Sequence, residues 1–108
     1  MRVCVPVTDE GTIDSRWGRA ERVVVAEVHD GVIDDWREHV VRWDVLHDAG
    51  PEGAHHARVA RFIRDEHVTM VLAERMGDGM ARMLHKLGVS VHLGLTGEAR
   101  VAMGVERS

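Results

Sequence analysis

One stretch limits the fold more than any other, Thr69 to Leu93. It opens with the apolar run Thr69-Met70-Val71-Leu72-Ala73 and turns through Met76-Gly77-Asp78-Gly79. Met80, Met83, Leu84 and Leu87 then recur at i, i+3, i+4 and i+7, which puts all four on one helical face. Gly88 stands where a left-handed helix C-cap wants glycine, and Val89-Ser90-Val91-His92-Leu93 reads as a second strand. Strand, glycine turn, helix and strand make a βαβ unit, so the two strands are expected to be parallel neighbours. Ligands of such sheets bind beyond the carboxyl ends of the strands, where the Gly77-Asp78-Gly79 turn falls. Glycines let a ligand approach the backbone, and the helix N-terminus behind them favours an anion. The same turn also serves simply to enter a helix, with Asp78 as its N-cap. Both readings stay open at this point.

The rest of the chain supplies three more strands and two more helices. Arg2 to Val7 alternates, with Val3, Val5 and Val7 on one face and Cys4 on the other. Arg22 to Val28 is nearly continuous in valine and alanine, which suits burial on both faces. Asp30-Gly31 is a two-residue hairpin signal, because both central positions of a type I′ turn need positive φ. The partner strand runs from Val32 to about Trp43, and its charges, Asp34, Asp35, Arg37 and Glu38, suit an exposed edge. Ala54 to His67 reads as a helix with Val59, Ala60, Phe62 and Ile63 as its apolar stripe. Thr96 is the candidate N-cap of a last short helix, with Val101 and Met103 facing inward. The order β-β-β-α-β-α-β-α predicts a single α/β domain over 1–108, a five-stranded mixed sheet with helices on both faces. Its core spans about 2–103 and its tail, 104–108, is expected to fray. Val5, Val24, Phe62, Val71, Leu84 and Val91 are expected to be nearly fully buried.

Composition excludes several functions. With 18 acidic against 14 basic side chains and a formal charge of −4, a general nucleic-acid surface is not expected. No apolar run approaches the roughly 20 residues that span a bilayer, and the N-terminus runs straight into a strand pattern without a signal-peptide layout. The expectation is a cytoplasmic protein. The single cysteine, Cys4, rules out an internal disulfide and reads as a small buried hydrophobe rather than a reactive thiol. No G-x-x-x-x-G-K-[ST] loop occurs, and Ser15 has no nucleophile-elbow context.

Two further stretches bear on chemistry. Ser15-Arg16-Trp17-Gly18-Arg19-Ala20 places an aromatic and a glycine between two arginines. Either Trp17 plugs the end of the core while the arginines are solvated, or the loop faces a ligand with Arg16 or Arg19 meeting an anion. His47, His55 and His56 fall near one helix N-terminus and are suited to a soft or borderline metal. His55 and His56 are adjacent, so they point about 100° apart and do not chelate as an i, i+4 pair would. Surface or capping histidines would look the same. Clustered carboxylates, Asp9, Glu27, Glu74 and Asp78, define an alternative, magnesium-dependent hydrolase or nuclease chemistry.

The chain resembles the dinitrogenase iron–molybdenum cofactor biosynthesis family, small nitrogenase accessory-type proteins with a ribonuclease H-like fold. The resemblance is carried by Val3-Cys4-Val5-Pro6-Val7, by Ser15-Arg16-Trp17-Gly18-Arg19-Ala20, and by His47, Gly50-Pro51 and Gly53. Met76-Gly77-Asp78-Gly79-Met80-Ala81 and Leu87-Gly88-Val89 complete it. It implies a protein that binds, carries or helps insert an iron–molybdenum–sulfur or iron–sulfur cluster or its precursor, with cofactor-assembly proteins as partners. A carrier agrees with the residues better than an enzyme, because no nucleophile–base pair stands out. A regulatory or scaffolding domain without ligand is the plainest alternative. The topology is expected to bring the Ser15–Ala20 loop, the His47–His56 segment and the glycine turn to one end of the sheet. Ser15, Trp17, Gly18, Arg19, Gly77, Asp78 and Gly79 are then the expected cofactor-binding residues, and His47, His55 and His56 the expected metal ligands.

Overall fold

The computed structural model describes residues 1–51 and 53–103. Its strands are β1 (Arg2–Val7), β2 (Arg22–His29), β3 (Val32–Val40), β4 (Met70–Leu72) and β5 (Ser90–His92). Its helices are α1 (Trp43–Leu46), α2 (Ala54–Asp65), α3 (Asp78–Lys86) and α4 (Ala99–Ala102), with a single 3-10 turn at Trp17–Arg19. The strands form one mixed sheet in the order β3-β2-β1-β4-β5. β1, β4 and β5 are parallel, with Val71 opposite both Cys4 and Val91. β2 runs antiparallel to β1, and β3 antiparallel to β2. Asp30 and Gly31 take φ of 52° and 76°, the double positive φ that a type I′ turn requires.

Both faces of the sheet are covered. On one, Cys4, Val23, Val25 and Val71 meet Val59 and Ile63 of α2 and Met80 and Leu84 of α3, with Trp17 and Trp43 closing the end. On the other, Val3, Val5, Val7, Val24, Ala26 and Leu72 pack with Ile13, Ala99 and Met103. Alternation along β1 and β2 sends successive valines into these two cores, which is why β2 reads as a continuous apolar run.

Several boundaries differ from the sequence expectation. β3 stops at Val40, because Arg42 adopts φ 55° and Trp43 starts α1 instead. Turning inward leaves only 2% of Trp43 exposed. α2 ends at Asp65, since His67, at φ 56°, cannot continue a helix. Asp78 is the first residue of α3 and not its N-cap; Gly77 holds that position without a side-chain cap. Glu98 rather than Thr96 precedes α4, whose inward residues are Ala99 and Met103 while Val101 is exposed. Val5, Val24, Val71 and Leu84 are buried to 1% exposure or less. Val91 is only partly buried because β5 is an edge strand with a single neighbour. Phe62 is also partly buried, on the flank of α2 and edge-on to Trp43 at 5.8 Å. The expected fraying from Gly104 lies outside the described residues. No described helix is long and apolar enough to cross a membrane.

Candidate functional site

The strand directions decide where the loops go. The carboxyl ends of β1, β3, β4 and β5 lie at the same end of the sheet, and β2 begins there. The 3-10 turn before β2, the segment that follows β3, the N-terminus of α2 and the turn after β4 therefore gather at that end. Between them opens a cleft of about 1000 Å³. Ser15, Trp17, Gly18, Arg19, His47, His55, His56, Gly77 and Gly79 all line it. Asp78 does not; it is exposed, and the cleft side of the first turn of α3 is taken by Gly79 and Met80. Successive helical side chains diverge by about 100°, so Asp78 cannot share that side. Arg16, Met76 and Met80, which belong to the quoted motifs, also line the wall, as do Asp48 and Arg75, to which no motif pointed.

Trp17 is both plug and wall. It is 1% exposed and packs edge-on against Trp43, with ring centroids 5.3 Å apart. Its indole N–H is buried and has no hydrogen-bond partner among the described residues. Gly18 passes close to two neighbours: a Cβ there would lie 3.7 Å from Met80 Cε and 3.8 Å from His55 Nε2.

The three histidines occupy different environments. The Nε2 of His55 lies 2.7 Å from the Gly18 carbonyl, and the Arg58 guanidinium lies 3.0 Å from its Nδ1. A carbonyl only accepts and a guanidinium only donates, so Nε2 carries the proton and Nδ1 is the acceptor. Neither nitrogen then offers a lone pair to the cleft. Burial is the main force holding His55 below the ordinary histidine pKa, with the charges of Arg58, His47 and His56 adding to it. His47 is half-buried, with Nδ1 3.2 Å from Asp48 Oδ1. Its ring centroid is 6.4 Å from that of His55. His56 is exposed and lies against α3, where a Cβ on Gly79 would approach its Cε1 to 3.2 Å. Among the described residues no three His, Cys, Asp or Glu side chains come together as a metal ion would need.

The local charge opposes the global one. The chain carries −4, yet the described wall holds Arg16, Arg19 and Arg75 against one carboxylate, Asp48. Arg16 reaches Asp14 only at 3.8 Å, and neither Arg19 nor Arg75 forms an ion pair among the described residues. Both α2 and α3 begin at the cleft, and neither has a side-chain cap among the described residues. Cys4 is absent from the wall: it is fully buried, and burial, helped by Glu66, pushes its thiol far above the ordinary range. The four carboxylates of the magnesium alternative do not converge. Glu27 binds the N-terminal amine at 2.8 Å, at the opposite end of the sheet, and Asp9 pairs with Arg22 at 3.1 Å.

A family model described as dinitrogenase iron-molybdenum cofactor matches residues 1–105. Among solved structures, that of PH0822 superposes with a TM-score of 0.77 at 22% identity, covering 95% of this chain and 86% of that one. The apo form of the orange protein from Desulfovibrio gigas gives 0.72 at 19% identity, covering 94% and 82%. The protein mj0327 of Methanocaldococcus jannaschii gives 0.64 at 10% identity, covering 96% and 85%. At these identities the likeness shows a common fold. No curated protein matches the sequence.

Proposed function

The chain belongs to the dinitrogenase iron-molybdenum cofactor family, and we propose that it is a non-enzymatic binding or carrier protein for a metal-containing anion. The cargo is an iron–molybdenum–sulfur or iron–sulfur cluster, or a precursor of one, held in the cleft. The observation that carries this reading is the charge reversal: an acidic chain concentrates three arginines, two open imidazoles and two uncapped helix N-termini around one cavity. Anions are what helix N-termini and guanidinium groups bind best.

The residues divide the work. Arg19 and Arg75 supply charge-assisted hydrogen bonds, and α3 begins at the same space, which Gly77 and Gly79 line. His47 and His56 are the imidazoles free to donate or to ligate. His55 orients the Gly18 carbonyl instead of ligating. Trp17 and Met80 give the cavity an apolar floor that suits a polarisable sulfur-rich surface. With Cys4 sealed in β1, the cargo must bring its own sulfide, so binding is non-covalent or through histidine. Ser15 has no hydrogen bond to a histidine among the described residues, which favours a carrier over a hydrolase. Cofactor-assembly proteins are the partners such a carrier would exchange cargo with.

Anaerobic titration with tetrathiomolybdate, followed by absorption, tests the reading. Wild type is expected to bind one equivalent, and His47→Ala, His56→Ala or Arg19→Ala to weaken it about tenfold or more. Absence of binding by wild type would favour a scaffold without ligand; equal binding by all variants would move the site elsewhere.

A further inference from the structure

Arg58 does not line the cleft, yet it touches the structural supports of three of its walls. It lies three residues after His55 on α2, where side chains at that spacing are neighbours. Its Nη1 donates to the Leu46 carbonyl at 2.9 Å and to His55 Nδ1 at 3.0 Å. Its Nη2 reaches the Ala49 carbonyl at 3.3 Å. Leu46 and Ala49 bracket His47 and Asp48, so two carbonyls of that segment are tied to one guanidinium. Through His55 the same guanidinium acts on Gly18, whose carbonyl accepts a hydrogen bond from Nε2–H at 2.7 Å. A fixed fork of donors can serve these acceptors together; an ammonium at the end of a flexible stem cannot.

We infer that Arg58 is the positioning residue of the cleft. Together with the Gly18 carbonyl it holds the His55 tautomer, and it clamps the His47-bearing segment, and so fixes the spacing between the Gly18-Arg19 turn and His47. Without its donor at Nδ1, the Gly18 carbonyl alone favours the Nε2–H form, and the bond that pins Gly18 is lost whenever the ring takes the alternative tautomer. The inference rests on the cargo reading only for its functional consequence; the clamp itself can be seen without ligand.

The test therefore has two arms. In the first, long-range ¹H–¹⁵N spectra of the histidine rings are recorded for wild type, Arg58→Met and Arg58→Lys. Wild type is expected to show His55 with Nε2 protonated and Nδ1 bare. Arg58→Met is expected to move those ring signals toward a tautomer mixture, and to shift the backbone amides of Gly18, Arg19 and His47 to Ala49. Arg58→Lys is expected to recover only part of the pattern, and it carries the test should Arg58→Met not fold. In the second arm, tetrathiomolybdate affinity is expected to fall about tenfold in Arg58→Met. Ile63→Val, in the core of the same helix, controls for lost stability and is expected to leave affinity unchanged. Ring signals and Gly18 amides that stay put in Arg58→Met would overturn the inference, as would an affinity loss matched by Ile63→Val. If the ring and amide signals move but wild type binds no tetrathiomolybdate, the clamp stands and the cargo reading fails.

Discussion

Gly79→Ala separates what holds the fold from what shapes the cleft. Gly79 is the second residue of α3 and adopts a helical conformation, so alanine fits its backbone. Removing the glycine's unfolded-state freedom stabilises by roughly 0.4–1 kcal/mol. The new Cβ meets His56 Cε1 at 3.2 Å, a few tenths of an ångström inside ordinary contact. The atom it meets is the far end of an exposed ring, which can swing aside for roughly 0.5–1.5 kcal/mol at most. The two effects nearly cancel, so global stability is expected to change by no more than about 1 kcal/mol in urea melts. The cleft, however, loses the His56 position. Affinity for tetrathiomolybdate should therefore fall about tenfold while the melt barely moves. A variant of unchanged stability and unchanged affinity would show that His56 has no part in binding. One destabilised by 2 kcal/mol or more would show that the α2–α3 contact is tighter than the geometry indicates.

Trp17→Ala should cost about 3–5 kcal/mol, since the indole is 1% exposed and packed on Trp43; a loss under about 1 kcal/mol in denaturant melts would contradict its place in the core. Cys4, fully buried with its thiol pKa raised, should be inert to Ellman's reagent in the native protein and react only at the unfolding rate; rapid stoichiometric labelling at neutral pH would refute this. His55 titrates below the ordinary histidine value of 6.5 when folded, so the unfolded chain takes the proton first. Its contribution is intact above that value and declines as pH falls from there to the depressed folded pKa. Melts of His55→Gln should show a shallower acid limb in that window; identical slopes would show that His55 is not the responsible group.

The parts of this molecule written in local pattern were legible in the sequence. The helical recurrence of Met80, Met83 and Leu84 and the Asp30-Gly31 pair fixed the βαβ unit and the hairpin, because each depends on neighbours within one turn. The gathering of the three loops followed from strand direction alone. What was not legible depends on distant packing. Trp43 belongs to a four-residue helix, too short to leave a period, and only its burial against Trp17 ends β3 early. Leu87 keeps its place in the apolar stripe but falls at the end of α3, where it stays 36% exposed. Arg58 gave no signal because two of its acceptors are main-chain carbonyls, which carry no sequence signature. Asp78 looked like part of a glycine-turn site, yet one step of helical rotation takes it out of the wall.

The central claim is that the cleft, and no other surface, receives a metal-containing anion. The most direct measurement is a two-dimensional ¹H–¹⁵N spectrum of labelled protein, recorded under anaerobic conditions while tetrathiomolybdate is added. The account predicts saturable shifts confined to the amides of Gly18, Arg19, His56, Gly77 and Gly79, and attenuation of those shifts as salt screens the arginines. Shifts centred instead on the opposite end of the sheet, around Glu27 and His29, or no shifts at all, would contradict it.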